Sequence, residues 1–320
     1  NFIIGLVVLG ITVRYNEFAD SFVVAGLEHI DTQLSDPIMT EVRVMFSKKW
    51  GWYPGKDFTR ELMQHVGHHN KFHPVKDYFE SLTWDGVSRI ETWLHTCGGV
   101  KDTPYTRAVS SMSMIATVRR IYQPGAKFDT MLVLESAQGW NKSGALKVLA
   151  IREEWFTDKP PLGADSKQLI EDTRGKLIIE FAELQGMSKS DVDKMKSSLS
   201  RQVDRARPSY GTIAVDVPRQ FTNWATTNNQ NYLRDLTGNR RFWPLALGKA
   251  MDLDWLRAHR DQLWAEAVML HKQGASITLA PELWAEAAQE QKARRVESSF
   301  AGIIQEYLGH LTGRISETSV

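Results

Sequence analysis

The sequence predicts an α/β fold built on a parallel sheet flanked by helices. Three observations predict it. Short runs rich in apolar and β-branched residues at MLVLE (131–135), KLIIEF (176–181) and 220–227 have the length and composition of buried strands. Helical patterns separate these runs, the alternation expected of strand–helix–strand units with crossover helices. The first run leads through a short loop ending in Lys142-Ser143 into a further helical pattern, the order of a phosphate-binding loop.

The elements follow in chain order. NFIIGLVVLGI is apolar but falls short of the roughly 20 residues that span a bilayer, and no basic segment precedes it, so a buried strand or helix is expected and no membrane partner. Asp57 to Val66 reads as a helix, and FHPVKDYFESLTW becomes helical after Pro74. Asp85-Gly86 signals a turn. Thr103 to Tyr122 is a long helical pattern opened by Thr103 as cap and Pro104 at the first position, and it ends at Tyr122-Gln-Pro-Gly125. Helices are expected over Asn141–Ala150, Lys167–Asp172 and Ser188–Ser200, the last capped by Ser188 or Ser190. From Leu253 onward the pattern is mostly helical. The chain divides into a mainly helical N-terminal region (1–100), an α/β core (101–250) and a C-terminal helical region (251–320).

With 320 residues the chain exceeds one ordinary core. A formal net charge of +1 means that any affinity for nucleic acid must reside in local basic patches. The single cysteine, Cys97, excludes an intramolecular disulfide and fits a reduced cytoplasm. The chain begins at Asn1 rather than Met and stops at ETSV in mid-pattern, so it is expected to be a piece of a longer protein.

The chemistry concentrates in the loop Ser136-Ala-Gln138-Gly139-Trp-Asn141-Lys142-Ser143, which occupies the eight positions of G-x-x-x-x-G-K-[ST]. Lys142 is placed to meet outer phosphates of ATP, Ser143 to offer a hydroxyl to Mg2+, and the helix start favours anions. Ser136 and Asn141 stand where the motif has glycine. Glycine serves there for positive φ and close backbone approach, so both side chains are expected to strain or crowd the loop. Asn best tolerates a left-handed conformation. Gly144, in the first helical turn, weakens the helix by about 1 kcal/mol relative to Ala.

A neighbouring strand should end in acids that hold the metal and the attacking water, and KLIIEFAEL supplies Glu180 and Glu183. Asn228 ends the third strand, either as a polar tip that orients water or as a turn residue. Arg240 and Arg241 follow a glycine turn, as a solvated pair or as a finger reaching a neighbouring subunit's phosphate. Between the second and third strands, Arg201, Arg205, Arg207 and Tyr210 form a basic segment with an aromatic near a Pro-Ser-Tyr-Gly turn. Such a hairpin suits single-stranded DNA, and a solvated face balanced by Asp191, Asp193 and Asp204 fits the spacing equally. His65, His69 and His73 would share a helical face, but Pro74 argues against helix at His73 and no acid or cysteine completes a metal set.

LVLESAQGWNKSGALKVLA, EEWFTD, DSKQLIEDTRGKLIIEFAEL, LSRQVDRARPSYG, VPRQF, ATTN and YLRDLTGNRRFWP, in that order, resemble the virulence-associated protein E family of phages, prophages and mobile islands. NKFHPVKDYFESLTWDGVSRI and QPGAKFDTMLVLE upstream extend the resemblance to roughly residues 10–290. It implies a P-loop fold like superfamily 3 helicases of the AAA+ class, often joined to a primase, acting as a hexameric ATPase on DNA at a replication origin. By that match Lys142 and Ser143 hold phosphate and Mg2+, Glu180 and Glu183 are the acidic strand-end residues, and Asn228 is the sensor. Arg240 or Arg241 is the finger, and the Arg205–Tyr210 segment is the pore hairpin. The family's loop resembles EGPQGWGKST; ESAQGWNKSG differs at Ser136, Ala137, Asn141 and Gly144. Two functions follow: an ATP-driven helicase or initiator, or a catalytically impaired nucleotide- or DNA-binding scaffold.

Overall fold

The computed structural model describes residues 1–27, 32–182, 184, 189–207, 213–233 and 238–296. Glu183, Tyr210, the turn expected at 208–211, Ser188 and the residues from 297 onward lie outside the described residues.

The N-terminal region comprises α1 (Phe2–Val8), β1 (Thr12–Asn16), β2 (Ser21–Ala25), β3 (Thr32–Gln33), α2 (Asp36–Trp50), α3 (Lys56–His69), β4 (Lys71–Phe72), α4 (Pro74–Ser81) and α5 (Trp93–Gly98). It is mainly helical, and it also carries a four-stranded sheet in the order β3-β2-β1-β4 that the sequence pattern did not reveal. These strands are short, and β1 buries only Val13 fully, so their alternation is faint. Phe2, Leu6, Val13, Val24, Val42, Phe46 and Met63 form this lobe's own core. By contrast, Val75 and Phe79 of α4 and Trp93 and Leu94 of α5 are buried in the core of the large sheet.

That sheet follows α6 (Pro104–Tyr122). Its members are β5 (Met131–Glu135), then, after α7 (Lys142–Leu149), β6 (Phe156–Thr157), then, after α8 (Ser166–Thr173), β7 (Ile178–Ala182). Helix α9 (Lys189–Ser200) and a two-stranded hairpin, β8 (Val203–Ala206) with β9 (Val215–Pro218), precede β10 (Thr222–Thr227) and β11 (Phe242–Ala246). All pairings are parallel and the order is β11-β5-β10-β7-β6. Alternate residues face opposite ways: Leu132, Leu134, Ile178, Trp224 and Trp243 meet the helical core of α6 and α10 (Leu253–Lys272), while Met131, Val133, Ile179, Phe181 and Ala225 pack on α9. Both faces are covered, which is why β5 reads as an apolar run and β7 as one broken by Glu180, while β10 is buried although four of its six residues are Thr or Asn. The strand β11 was hidden by Pro244, which cannot donate to a ladder; it is tolerated because β11 is an edge strand. The last described helix, α11 (Trp284–Ala293), lies against β11.

Capping chemistry sets the helix starts. Thr103 caps α6 with Pro104 at its first position, as the sequence predicts, and Thr106 completes a capping box with it. Arg120, buried near the end of α6, donates to the carbonyls of Ala126, Phe128 and Phe221, tying that helix to the entries of β5 and β10. His73 caps α4: its Nδ1 accepts from the Lys76 N–H at 3.2 Å, and its Nε2 meets Gln220 Oε1 at 2.7 Å, an arrangement that requires the neutral ring with the proton on Nε2. Burial holds its pKa below the ordinary value, against a smaller upward pull from Gln220. The unfolded chain therefore takes up a proton that folded His73 refuses. Stability is expected to fall as pH drops below about 6.5, levelling off once the lower folded pKa is passed. Thermal melts from about pH 7.5 to 5 should show this component in the parent and not in His73→Asn, which keeps a capping oxygen.

Candidate functional site

The loop after β5 is held at three points. The Ser136 N–H donates to the Thr227 carbonyl at 3.2 Å, continuing the ladder. The Trp140 carbonyl accepts from the Met251 N–H at 3.0 Å, and the Asn141 carbonyl accepts from Ala145 at 2.9 Å to start α7. Gly139 adopts φ +84° with open space where a Cβ would sit. Asn141 adopts φ 59°, ψ 25°, the left-handed conformation expected of it. Ser136 corrects the expectation of strain: its φ is not positive, so its side chain costs nothing in backbone conformation. Gly144 has a packing reason, since a Cβ there would come within 3.2 Å of Leu253.

The Lys142 ammonium turns into this loop. It donates to Ser136 Oγ at 2.7 Å, Asn228 Oδ1 at 2.8 Å, the Ala137 carbonyl at 3.1 Å and the Ser136 carbonyl at 3.2 Å. Four oxygens share three hydrogens, so the cation is saturated by its own chain. Desolvation lowers its pKa, and the nearby Glu180 carboxylate opposes that shift. Asn228 is thereby drawn to the loop from the end of β10, and Gln138 stays exposed at the tip.

Beside it, Glu180 is fully buried in β7. Its Oε1 accepts from Ser143 Oγ at 2.6 Å and from Thr226 Oγ1 at 2.5 Å. Its Oε2 is buried and has no hydrogen-bond partner among the described residues. A buried carboxylate oxygen left open beside a hydroxyl is a hard-oxygen donor set suited to Mg2+. The residues present therefore fit a metal at Ser143 and Glu180 and an anion before Lys142.

Other candidates lie elsewhere. Arg240 and Arg241 occupy a single helical turn (Asn239–Arg241) that enters β11. Because Phe242 pairs with Met131 and Ala246 with Glu135, these arginines sit at the opposite end of the sheet from the loop, one five-residue strand or ~17 Å away. The hairpin also rises from that far end, since its base adjoins the 123–125 turn: Gly125 N–H donates to Arg219 O, and Arg219 N–H to Gln202 O. Arg205 and Arg207 are exposed on it, and Arg205 lies 3.6 Å from Asp216 across the strands. Arg201 is 4.0 Å from Asp204, but Asp204 is claimed by buried Arg219 at 2.6 and 2.8 Å, so it does not neutralise the outer arginines. Of the histidines, His69 Nδ1 meets the His65 carbonyl and His73 caps α4, and no group of three or more metal-binding side chains occurs among the described residues. Nor is any described helix long and apolar enough to cross a membrane.

With this geometry in place, the chain can be set beside known proteins. The family model of the virulence-associated protein E-like domain matches residues 79–296. The chain belongs to that family. Two solved structures are similar at low identity. The A form apo structure of the NrS-1 C-terminal region is 15% identical, with 95% of this chain and 77% of that one covered and a TM-score of 0.43. A second apo structure of the same region is 14% identical, with 96% and 74% covered and a TM-score of 0.42. No curated protein matches.

Within this virulence-associated protein E-like domain, sequence reasoning missed a buried network next to the loop. Glu135, the last residue of β5, accepts from Tyr232 Oη at 2.6 Å and from Arg294 Nε and Nη2 at 3.0 and 2.9 Å. Arg294 also pairs with Glu290. Thr226 was missed as well. For Glu135 the available signal was a carboxylate closing an otherwise apolar buried strand; Thr226, among the Thr and Asn residues of β10, carried no such signal.

Proposed function

We propose that the chain is an ATP-hydrolysing, DNA-acting replication protein of a phage or mobile element, working as a helicase or origin-melting ATPase in a homo-oligomeric, hexameric ring. The observation that carries this reading is the convergence of Lys142, Ser143, Glu180, Thr226 and Asn228 at one end of a parallel sheet. Lys142 and the first N–H groups of α7 would bind the phosphates, and Asn228 would orient water against the outermost. Mg2+, when bound, neutralises charge on phosphate oxygens. Ser143 and Glu180 would hold it, with Thr226 fixing the carboxylate. Arg240 or Arg241, far from their own loop, would reach ATP phosphate only in a neighbouring copy. Arg205 and Arg207 would meet DNA phosphates, and a primase domain or protein would be a natural partner by family resemblance.

One observation favours the second reading, an impaired scaffold. Where the family's loop has glycine, Ser136 Oγ is the shortest contact of Lys142 and competes with phosphate for it. Ser136→Gly with Asn141→Gly is expected to tighten ATP binding roughly fivefold, the worth of about one hydrogen bond, and adding Lys142→Ala should cancel the gain. Calorimetric ATP titration and phosphate release, with and without single-stranded DNA, test both readings. DNA-stimulated release by the parent supports the ATPase; ATP binding without release by either form supports the scaffold.

A further inference from the structure

A cavity of about 590 Å³ opens at the far end of the sheet, away from the Lys142 loop. Arg240, Arg241 and Lys127 line it, with Asp129 the one carboxylate among the described residues of its lining. Its mouth carries Trp284, 61% exposed, whose indole N–H is tied to the Leu279 carbonyl at 3.0 Å, so the ring is held in place without being covered. Two buried polar atoms on its lining, Thr130 Oγ1 and Arg241 Nε, have no hydrogen-bond partner among the described residues. Buried donors are ordinarily satisfied, so two unmatched ones on residues of the cavity wall call for an explanation.

The site is contiguous with the hairpin. Arg241 Nη2 donates to Ser200 Oγ, three residues before β8. Lys127 follows the 123–125 turn, and a Cβ on Gly125 would lie 3.4 Å from Pro218 at the end of β9. A cationic path therefore runs from the exposed arginines of the hairpin to a fixed aromatic face. Positive charge beside an exposed, immobilised ring is what a single strand requires: phosphates on the cations, a base stacked on the ring.

We infer that this cavity holds one nucleotide of a single DNA strand running from the hairpin, its base on Trp284 and its phosphate between Arg240 and Lys127. The inference rests on the DNA-acting reading above and extends it to a surface outside the hairpin. It also gives the two arginines a ligand in their own chain.

The test is binding of a fluorescein-labelled oligothymidylate of about twelve nucleotides, followed by anisotropy, to the parent, Trp284→Ala, Trp284→Phe and Lys127→Ala. Trp284→Ala should weaken binding about tenfold, as loss of one stacked base does, and Trp284→Phe should restore most of it. Lys127→Ala should reduce the salt slope by about one. Because Trp284 is largely exposed, thermal melts should coincide and exclude misfolding. A strand carrying 5-iododeoxyuridine should photocross-link to the peptide bearing Trp284. If the parent binds, Arg205→Ala with Arg207→Ala weakens it, and Trp284→Ala does not, DNA belongs to the hairpin alone and the cavity is wrongly assigned while the DNA reading stands. If the parent binds no oligonucleotide, both fall. If thymidine monophosphate binds as tightly as the oligonucleotide and Trp284→Ala abolishes it, the cavity is a free-nucleotide site and the DNA path is overturned.

Discussion

Glu180→Gln is expected to lower phosphate release by roughly 10²–10³-fold while leaving the fold intact, the range seen when one group stabilising transition-state charge is removed. The amide keeps an oxygen that can accept from Ser143 and Thr226, so the two hydrogen bonds at 2.6 and 2.5 Å have a successor. What disappears is the negative charge, and with it the open carboxylate oxygen suited to Mg2+. Thermal stability should hold or rise, because a buried carboxylate with one oxygen unpartnered is costly and its amide less so. Lys142→Ala should lower release comparably and also weaken ATP binding, since the Lys142 ammonium is the cation held in the loop. Colorimetric phosphate release at saturating Mg-ATP measures both. Parent-like release in Glu180→Gln would remove Glu180 from the metal role and return the acidic position to Glu183.

The contrast between these residues and their neighbours shows what a sequence discloses. The strand β5 was legible because burial on both faces writes itself as an apolar run, and β7 because only Glu180 interrupts one, whereas β10 showed through its β-branched and aromatic residues. Lys142, Ser143 and Glu180 were legible because a loop between strand and helix, followed one unit later by an acid at a strand end, is a local pattern. By spacing Asn228 stood open between a water-orienting tip and a turn residue, and its 2.8 Å contact with Lys142, 86 positions away in the chain, brings it to the loop. Ser136 was read by its motif position as strained, yet backbone conformation there is ordinary and its hydroxyl matters instead. The N-terminal sheet escaped notice because two of its four strands are two residues long, too short to show a period. The far-end position of Arg240 and Arg241 followed from the β11 register, which Pro244 concealed. Pairings made across the fold have no local signature, and the Glu135 network is the clearest case.

Arg294→Met is expected to destabilise the protein by about 3–5 kcal/mol, the cost of leaving a buried charge unpaired. Glu135 has almost no solvent exposure, at 3%, and Arg294 meets both of its oxygens, with the Arg294 guanidinium held charged by that carboxylate and by Glu290. Tyr232 would remain as a donor at 2.6 Å, but a neutral hydroxyl cannot offset the carboxylate's desolvation. Combining Arg294→Met with Glu135→Gln should recover much of the loss, because removing both partners removes the stranded charge. Urea denaturation of the two single variants and the double gives the coupling directly. The consequence extends beyond stability. Glu135 immediately precedes Ser136, so Arg294 fixes the strand end from which the Lys142 loop springs, and the bridge between Leu233 and Arg295 brings the chain leaving β10 to the same point. Phosphate binding should therefore weaken in Arg294→Met even at temperatures where it is fully folded, and return in the double variant. Equal ATP affinity in parent and Arg294→Met, measured well below both melting transitions, would confine the ion pair to a purely structural role.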